Sequence, residues 1–251
     1  MSIKIKTADA RSSPYKDLRA TLIYCDPPTN RRHDQLDNND RIPDDLYAQF
    51  AMEWLQDVVP KLQNPGRLAL CINPRKRRLY EHLITNNHSH LQFEQEIILH
   101  YTFGHYIKDR FPHSHETILI FRLGHPPFHY KDILIESQRL KSGDHRADLR
   151  GRVPGDVWTM PRSTHYETDR KYFMETSERS VHPLEFCKRL VNAYTTPGQT
   201  VYDPFSGFGT MAVACKHLKR KYFGHDICEQ YVKESKERIE KRDWLRWLKG
   251  I

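Results

Sequence analysis

The stretch that decides the fold is Val201-Tyr-Asp203-Pro-Phe205-Ser-Gly207-Phe-Gly209-Thr210. An apolar strand ends in Asp203, the two glycines let the backbone turn close to a ligand, and a helix begins at Thr210. Roughly 20 residues later Asp226 ends the next strand, where an acidic side chain of a Rossmann-like sheet binds ribose hydroxyls. These features predict a nucleoside cofactor, although Ala212 stands where the dinucleotide fingerprint has its third glycine.

A second strand end lies far upstream, in Leu22-Ile-Tyr24-Cys-Asp26-Pro27-Pro28-Thr29-Asn30. The two prolines fix their own φ angles and cannot continue a hydrogen-bonded ladder. The Asp26 carboxylate and the Pro27 carbonyl can therefore both accept hydrogens from one amino group. An exocyclic amine on a planar base has two such hydrogens, which makes it a fitting substrate for this corner.

The composition limits the class of protein. The chain has 251 residues, and its 40 Lys and Arg against 32 Asp and Glu give a net charge of +8, which favours a polyanionic partner. Five scattered cysteines without a C-x-x-C pair, and histidines without metal-ligand spacing, argue against a disulfide framework and a metal site. The sequence has neither an apolar run of about 18 residues nor a signal peptide, so we expect a soluble, cytoplasmic protein.

Strand-like and helix-period segments alternate along the chain, as an α/β domain requires. Between residues 124 and 180 the sequence becomes polar and rich in Arg and His, and Pro126-Pro127, Gly143, Gly151 and Pro154 break its periodicity. We therefore expect an insertion or small subdomain there. The predicted strands are 3–6, 18–25, 67–72, 93–101, 117–122, 200–202 and 222–225, and the predicted helices are 46–58, 183–194, 210–218 and 228–248.

The two motifs together resemble those of a known enzyme family. Asp26-Pro-Pro-Thr-Asn30 resembles the D-P-P-Y-N catalytic motif of S-adenosylmethionine-dependent DNA amino-methyltransferases, and Asp203 to Thr210 resembles their D-P-F-x-G-x-G-T cofactor motif. Their order is similar to that of the circularly permuted β-group. The resemblance spans Ile3 to Ile239 and includes the segments 108–116, 155–158, 182–183 and 224–231.

The resemblance implies a Rossmann-like class I methyltransferase fold, circularly permuted, with a mixed seven-stranded sheet and helices on both faces. Residues 1–123 would form the catalytic half, 124–180 a small target-recognition insertion, and 181–251 the cofactor-binding half. Ile3 to Ala10 would be the third strand of the sheet. The implied binding residues for S-adenosylmethionine are Asp9 near the adenine, His182 near the methionine moiety, and Asp203, Pro204, Phe205, Gly207, Gly209, Thr210 and Asp226.

The implied reaction is methyl transfer to an exocyclic amino group of a base flipped out of double-stranded DNA, as in a restriction-modification or orphan methylase. The catalytic residues would be Asp26, Pro27, Pro28 and Thr29. An Asp at position 26 resembles the adenine-N6 enzymes more than many cytosine-N4 enzymes, so adenine N6 is favoured and cytosine N4 is the alternative. An RNA methyltransferase and a non-catalytic nucleic-acid-binding protein of the same fold are further alternatives.

Thr29 departs from the family pattern, which has an aromatic residue that stacks on the extruded base. Threonine lacks the ring that contributes about 1–3 kcal/mol of stacking per base. Either another ring replaces it, with Tyr24, Tyr101, Phe103 and Trp158 as the candidates, or the protein binds its target base more weakly.

Two groups of basic residues are candidates for contact with DNA phosphates. Arg31 and Arg32 follow the catalytic motif and predict either a mobile loop over DNA or an ordinary surface loop. Arg75, Lys76, Arg77 and Arg78 follow a strand end and read equally as phosphate contacts or as a solvated face. The short insertion also suggests help from a second subunit in a homodimer.

Overall fold

The computed structural model describes residues 2–30, 42–101, 108–160 and 181–240. Its strands are β1 (Ile3–Thr7), β2 (Ala20–Cys25), β3 (Leu62–Ile72), β4 (Gln92–His100), β5 (His115–Leu123), β6 (Val157–Thr159), β7 (Thr200–Asp203) and β8 (Lys221–Asp226). Its α-helices are α1 (Asp44–Val58), α2 (Arg77–Asn87), α3 (Gln138–Lys141), α4 (Leu184–Tyr194), α5 (Thr210–His217) and α6 (Glu229–Glu240). Short 3₁₀ segments occur at Val59–Lys61, Pro74–Lys76 and Tyr130–Ile133.

The eight strands of the described residues form one mixed sheet in the order β1-β8-β7-β2-β3-β5-β4-β6. β5 runs antiparallel to both of its neighbours, and the other pairings are parallel. The segment from Ile3 to Ala10, which the resemblance identified as the third strand of the family's sheet, contains β1. This strand lies at the edge of the sheet, beside β8. None of the described helices has the length and apolar character needed to cross a bilayer.

β2 lies at the centre of this sheet and is buried at all six of its residues. Because successive side chains of a strand point to opposite faces, Leu22 and Tyr24 enter one apolar core and Ile23 and Cys25 enter the other. Helices α4 and α5 cover the first core, and α1 and α2 cover the second. A strand buried on both sides reads as a continuous apolar run, which is what the sequence shows.

The pairing of β2 with β7 determines where a ligand can bind. The two strands are parallel, with Ile23 opposite Tyr202, so their carboxyl ends and the residues Asp26 and Asp203 meet at one edge of the sheet. From this pair the chain continues outward in opposite directions, through α5 to β8 and through α1 to β3. Such a switch point leaves a crevice at the carboxyl ends of the strands.

The predicted α/β class, with a mixed sheet and helices on both faces, is confirmed, but the sheet has eight strands rather than seven. The additional strand, β6, pairs in parallel with the end of β4 and buries Trp158. It lies inside the stretch predicted as an insertion. It was not predicted, because a strand of three residues is too short to show periodicity. The division into the ranges 1–123, 124–180 and 181–251 stays a prediction.

Two further differences concern β3 and α2. β3 begins at Leu62 rather than at residue 67. Asn64-Pro-Gly66, a sequence typical of turns, lies inside this strand, beside a register shift against β2. Helix α2 was not predicted. The basic residues at its start obscure the helical spacing of its apolar residues in the sequence. Those residues, Tyr80, Leu83 and Ile84, are buried in the second core.

The Arg67 side chain connects the start of the predicted insertion to the sheet through an ion pair and hydrogen bonds. Its guanidinium pairs with Glu94 on β4, at 2.6 and 2.9 Å, and donates to the carbonyls of Pro126 and Pro127 at 3.1 and 2.7 Å. It also lies over the ring of Tyr194, at 4.7 Å from the centroid. The Arg67 side chain is only 3% exposed, so its charge depends on these partners.

We predict that Glu94→Ala lowers the free energy of unfolding by about 3 kcal/mol, because it leaves the buried Arg67 charge uncompensated. Glu136→Ala is the matched control: its pair with Lys141 is exposed and 4.0 Å long, and its loss should cost less than about 1 kcal/mol. Urea denaturation of both variants measures the difference. Equal effects would contradict a structural role for the Arg67 ion pair.

Candidate active site

The Asp-Pro-Pro corner begins where β2 ends. Asp26 leaves the sheet with 40% of its side chain exposed to the cleft, and Pro27 is buried below it. The Pro28 carbonyl accepts a hydrogen bond of 2.8 Å from the Tyr47 hydroxyl, which holds the corner against α1. These contacts fix the direction in which the Asp26 carboxylate leaves the strand.

Asn30 closes this corner by joining the two ends of the segment that follows it. Its side chain accepts from the backbone N–H of Ile42 at 2.8 Å and donates to the Ile42 carbonyl at 2.9 Å. Its own backbone has φ 61°, a left-handed conformation that asparagine tolerates better than most residues. The predicted DNA contacts Arg31 and Arg32 belong to the segment between these ends and lie outside the described residues.

His182 stands behind Asp26 and is bonded at both ring nitrogens. Nδ1 lies 2.8 Å from the Tyr24 hydroxyl and 3.3 Å from Asp26 Oδ2. Nε2 lies 2.7 Å from Glu116 Oε2 and 3.5 Å from the Cys71 sulfur. The residue predicted to approach the methionine moiety of the cofactor is therefore in direct contact with the predicted catalytic acid.

The carboxyl of Asp26 titrates higher than an ordinary aspartate. Burial raises its pKa to about 6, with His182 opposing the rise and the negative charge of Glu116 adding to it. The ionised carboxylate only accepts hydrogen bonds, whereas the protonated form carries an O–H donor that would oppose an amino hydrogen. The arrangement therefore accepts an amine near neutral pH and loses that ability as the pH falls below about 6.

The glycine turn after β7 is built on Asp203. This side chain is 1% exposed and accepts hydrogen bonds from the Phe205 N–H at 3.1 Å and from the Tyr222 hydroxyl at 3.0 Å. Burial raises its pKa to about 7, and the two hydrogen bonds oppose that rise. Asp203 therefore fixes the start of the turn through these hydrogen bonds. In the same turn, Phe205 packs edge-on against Trp54 at 5.2 Å between ring centroids.

Gly207 and Gly209 both have left-handed backbones, with φ of 45° and 72°. Behind Gly209, a Cβ would come within 3.0 Å of the Ser235 Cβ on α6. Arg238, also on α6, donates to the Phe208 carbonyl at 3.0 Å and to the Thr210 hydroxyl at 2.9 Å. Helix α6 thus supports the turn from behind, and its close approach requires glycine at position 209.

Asp226 ends β8 beside this turn. Its two oxygens accept from the Gly207 N–H at 2.9 Å and from the Cys228 N–H at 3.0 Å. Asp9 lies next to it, because the Ala8 N–H donates to the Asp226 carbonyl at 2.9 Å. The Asp9 carboxylate is gripped by Arg11, whose hydrogen bonds lower the pKa of Asp9. The structure thus brings the predicted adenine and ribose contacts together at one strand edge.

The turn fits a nucleoside-type cofactor. A Cβ added to Gly207 would meet no atom within 4 Å, which leaves room for close approach of a ligand to the backbone. Ser206 Oγ is buried and has no hydrogen-bond partner among the described residues. The Asp226 carboxylate at the same turn is a hydrogen-bond acceptor. Open space, an unpaired hydroxyl and a carboxylate are what a bound ribosyl group requires.

The basic run after β3 lies at the same edge of the sheet. Lys76 pairs with Asp44 at 2.8 Å, and Arg77 pairs with Glu81 at 2.9 Å and with Glu96 at 3.2 Å. Arg75 and Arg78 are exposed, and Arg75 donates to His113 at 3.2 Å in the segment that leads into β5. Lys76 and Arg77 therefore serve the fold, and the two exposed arginines are better placed to meet phosphates.

The rings proposed to replace the aromatic at position 29 differ in their positions. Tyr24 and Trp158 are buried, at 3% and 6% exposure, and the indole N–H of Trp158 donates to the Gly155 carbonyl at 2.7 Å. Neither offers a ring face to the cleft. Tyr101 donates its hydroxyl to Glu116 at 2.7 Å, and Phe103 lies outside the described residues.

Among the described residues, three side chains of types that can bind a metal lie close together. Atoms of Asp26, Cys71 and His182 all lie within 4.8 Å of one another. Both nitrogens of His182 are already engaged by Tyr24 and Glu116, so a cation would have to displace one of them. The sequence predicted no metal, because these three residues lie far apart in the chain.

Sequence reasoning assigned no role to Glu116, Cys71 or Arg238. Glu116 belongs to a segment that resembles the family, but only the antiparallel pairing of β5 with β3 brings it to Cys71 and the cleft. Arg238 reads as one more charge on a polar helix, and its burial behind the glycine turn depends on how α6 packs. Neither the Glu116–Cys71 contact nor the contact of Arg238 with the glycine turn can be predicted from the spacing of residues along the sequence.

We predict that Gly209→Ala lowers the free energy of unfolding by about 2–3 kcal/mol and weakens S-adenosylmethionine binding at least tenfold. The substitution combines left-handed backbone strain with crowding against Ser235. Gly143→Ala is the matched control, since Gly143 has the same φ of 72° with nothing within 4 Å of an added Cβ. It should cost about 1 kcal/mol and leave binding unchanged. Chemical denaturation and calorimetry test both, and equal binding by the two variants would contradict the model of the turn.

We also predict that Asp26→Asn stabilises the protein at pH 8 and has little effect at pH 4. Because the pKa of Asp26 is raised on folding, stability falls as the pH rises from about 4 through about 6. The neutral amide removes that loss. Thermal melting at the two pH values measures the effect, and a variant less stable at pH 8 than the parent chain would contradict it.

Comparison with known proteins agrees with this geometry. A family model described as DNA methylase, of the N6/N4 amino-methyltransferase group, matches residues 20–237. The type II methyltransferase M.HpaI of Haemophilus parainfluenzae is 28% identical over 222 residues, which cover 87% of this chain and 68% of that protein.

Two solved structures share the fold. The PvuII DNA methyltransferase, described as cytosine-N4-specific, superposes with a TM-score of 0.72 at 13% identity, covering 97% of this chain and 88% of its own. The M1.HpyAVI–SAM complex gives a TM-score of 0.62 at 18% identity, covering 94% and 99%. The chain belongs to the N6/N4 DNA methylase family, whose methyl donor is S-adenosylmethionine.

Proposed function

We propose that this chain methylates the N6 amino group of adenine in double-stranded DNA. The observation that carries the proposal is the position of the Asp26 carboxylate, at the sheet edge shared by β2 and β7, facing the cleft beside the glycine turn. A carboxylate followed by a fixed proline carbonyl offers two acceptors for the two hydrogens of one amino group.

In this mechanism Asp26 and the Pro27 carbonyl hold the amino group of the base. Its nitrogen lone pair is normally conjugated with the ring, and two hydrogen bonds to fixed acceptors favour a pyramidal nitrogen whose lone pair points out of the ring plane. Bound S-adenosylmethionine supplies an electrophilic methyl group. The protein contributes position and charge, and it holds the amine at an acceptor that stays ionised above about pH 6.

The target base must leave the DNA stack to reach this corner, at a cost of about a few kcal/mol. Thr29 cannot replace the lost stacking, and its hydroxyl is buried without a hydrogen-bond partner among the described residues. Attraction of the phosphates by exposed cations offsets part of the cost. Arg75 and Arg78, at the edge of the sheet that carries Asp26, supply such cations.

The preference for adenine rests on the aspartate at position 26, which resembles the adenine-N6 members of the family. Cytosine offers a similar amino group beside a ring nitrogen, so the same corner fits N4. M.HpaI is named a type II methyltransferase, which supports a role in restriction-modification for this chain too. The proposed homodimer and the boundaries of the target-recognition insertion stay predictions.

We predict that Asp26→Ala reduces methyl transfer by at least about 10³-fold, because the fixed acceptor of the amino hydrogens is lost. S-Adenosylmethionine binding should remain within a few-fold of that of the parent chain. The experiment measures tritium transfer from labelled S-adenosylmethionine to duplex DNA, together with binding by calorimetry. Asp45→Ala, which removes an exposed carboxylate on α1, is the control and should keep full activity.

Nucleoside analysis of the labelled product identifies the target. Labelled N6-methyladenine supports the proposal, and labelled N4-methylcytosine would replace adenine by cytosine. Label in RNA but not in DNA would show an RNA methyltransferase. No label in either polymer would indicate a non-catalytic binding protein, and full activity of Asp26→Ala would overturn the role of Asp26.

A further inference from the structure

His182 connects two carboxylates that lie far apart in the sequence. Its Nδ1 edge faces Asp26 Oδ2 at 3.3 Å, and its Nε2 edge faces Glu116 Oε2 at 2.7 Å. We propose that Asp26, His182 and Glu116 form a proton-accepting chain that takes up the proton released when the amino nitrogen is methylated. The inference rests on the proposed role of Asp26 and applies equally to adenine and cytosine.

The reaction requires such an acceptor. When the nitrogen–methyl bond forms, the carbon–sulfur bond breaks and its electron pair stays on sulfur, so a positive charge develops on the amino nitrogen. One of its two hydrogens must then leave as a proton. Asp26 already accepts a hydrogen bond from that hydrogen, so the proton passes first to its carboxylate.

His182 is placed to take the proton from Asp26. With Nε2–H donating to the Glu116 carboxylate, the neutral ring keeps the lone pair of Nδ1 on the side of Tyr24 and Asp26. Transfer from the Asp26 carboxyl to Nδ1, with the Tyr24 hydroxyl hydrogen turning away from that lone pair, restores the Asp26 carboxylate and gives an imidazolium. The imidazolium later releases the proton to water through the cleft, which returns the ring to its neutral form.

Glu116 stabilises that imidazolium. It accepts hydrogen bonds from Nε2 of His182 at 2.7 Å and from the Tyr101 hydroxyl at 2.7 Å, and the Cys71 thiol lies 3.6 Å from the same oxygen. A carboxylate held by several donors keeps a fixed orientation. It therefore plays the role that a buried carboxylate plays behind the histidine of a catalytic triad, fixing the tautomer and stabilising the charged ring.

Two carboxylates face the ring of His182 and would attract a positive charge on it. The groups that face the ring are Tyr24 from β2, Asp26 from the corner and Cys71 from β3. Glu116 from β5 and Phe186 from α4 complete this set, and Phe186 packs on the ring at 5.0 Å between centroids. Two of these groups are carboxylates, and the Phe186 face limits access of water. A cation between two carboxylates in such a place is stabilised more than it would be in bulk water.

A purely structural histidine would need one partner to fix its tautomer. In this ring the two nitrogens face two different carboxylates, the proposed catalytic Asp26 and Glu116 on β5. His182 and Glu116 are therefore positioning residues that act on the amino group through Asp26.

The test compares single-turnover rates of methyl transfer with both substrates bound. For Glu116→Gln, which preserves shape and removes the charge, we expect a rate about 10²-fold lower, the lower end of the contribution of a positioned proton acceptor. The KM for DNA and the binding of S-adenosylmethionine should stay within about twofold. Glu185→Gln, an exposed carboxylate three residues after His182, is the matched control and should keep the parental rate.

A second variant separates proton transfer from structure. His182→Ala should be equally slow, and free imidazole added to the assay should restore the rate at least tenfold, most strongly at a pH where imidazole is neutral. A Glu116→Gln rate within twofold of the parental rate, or a slow His182→Ala variant that imidazole does not accelerate, would overturn the chain of proton transfer. Absence of methyl transfer by the parent protein would instead overturn the proposed function, and the chain of proton transfer with it.

Discussion

The parallel pairing of β2 with β7 is the interaction on which the rest of the structure depends. It brings Asp26 and Asp203, which lie at opposite ends of the chain, to one edge of the sheet. The pairing is stable because both strands are apolar and covered on both faces, so a shift in register by one residue would turn buried side chains to the wrong side. The catalytic corner and the cofactor turn therefore share one cleft because of how the core packs.

The cleft also concentrates negative charge. Burial raises the pKa of Asp26 to about 6 and that of Asp203 to about 7, and the negative charges of Asp26 and Asp226 add to the rise at Asp203. The fold offsets this cost with donors fixed by backbone and helix positions, such as the Phe205 N–H and the Tyr222 hydroxyl below Asp203. The folded protein therefore loses some stability above about pH 6, where the Asp26 carboxylate is ionised.

The features visible in the sequence were those with local signals. Strand-to-turn motifs at Asp26 and Asp203 have proline and glycine at fixed offsets. They predicted a nucleoside cofactor, and their resemblance to a known family implied the methyl donor and the order of the two halves. Contacts between distant segments have no such signal. Glu116 reaches His182 only because β5 runs antiparallel beside β3, and Arg238 supports the glycine turn only because α6 packs behind it. β6 and α2 were not predicted. Pairing with β4 determines the short strand, and burial of one face determines the helix, and neither is evident in the local sequence pattern.

A crystal structure of this protein with a methyl-donor analogue and a DNA duplex would show most directly whether Asp26 and the cofactor turn share one cleft. We predict the ribose at Asp226 and an extruded adenine whose amino nitrogen contacts Asp26 and the Pro27 carbonyl. That nitrogen should lie about 3.5 Å from the position of the transferable methyl group. A donor bound with its sulfonium turned away from Asp26, or a target base held elsewhere on the surface, would contradict it.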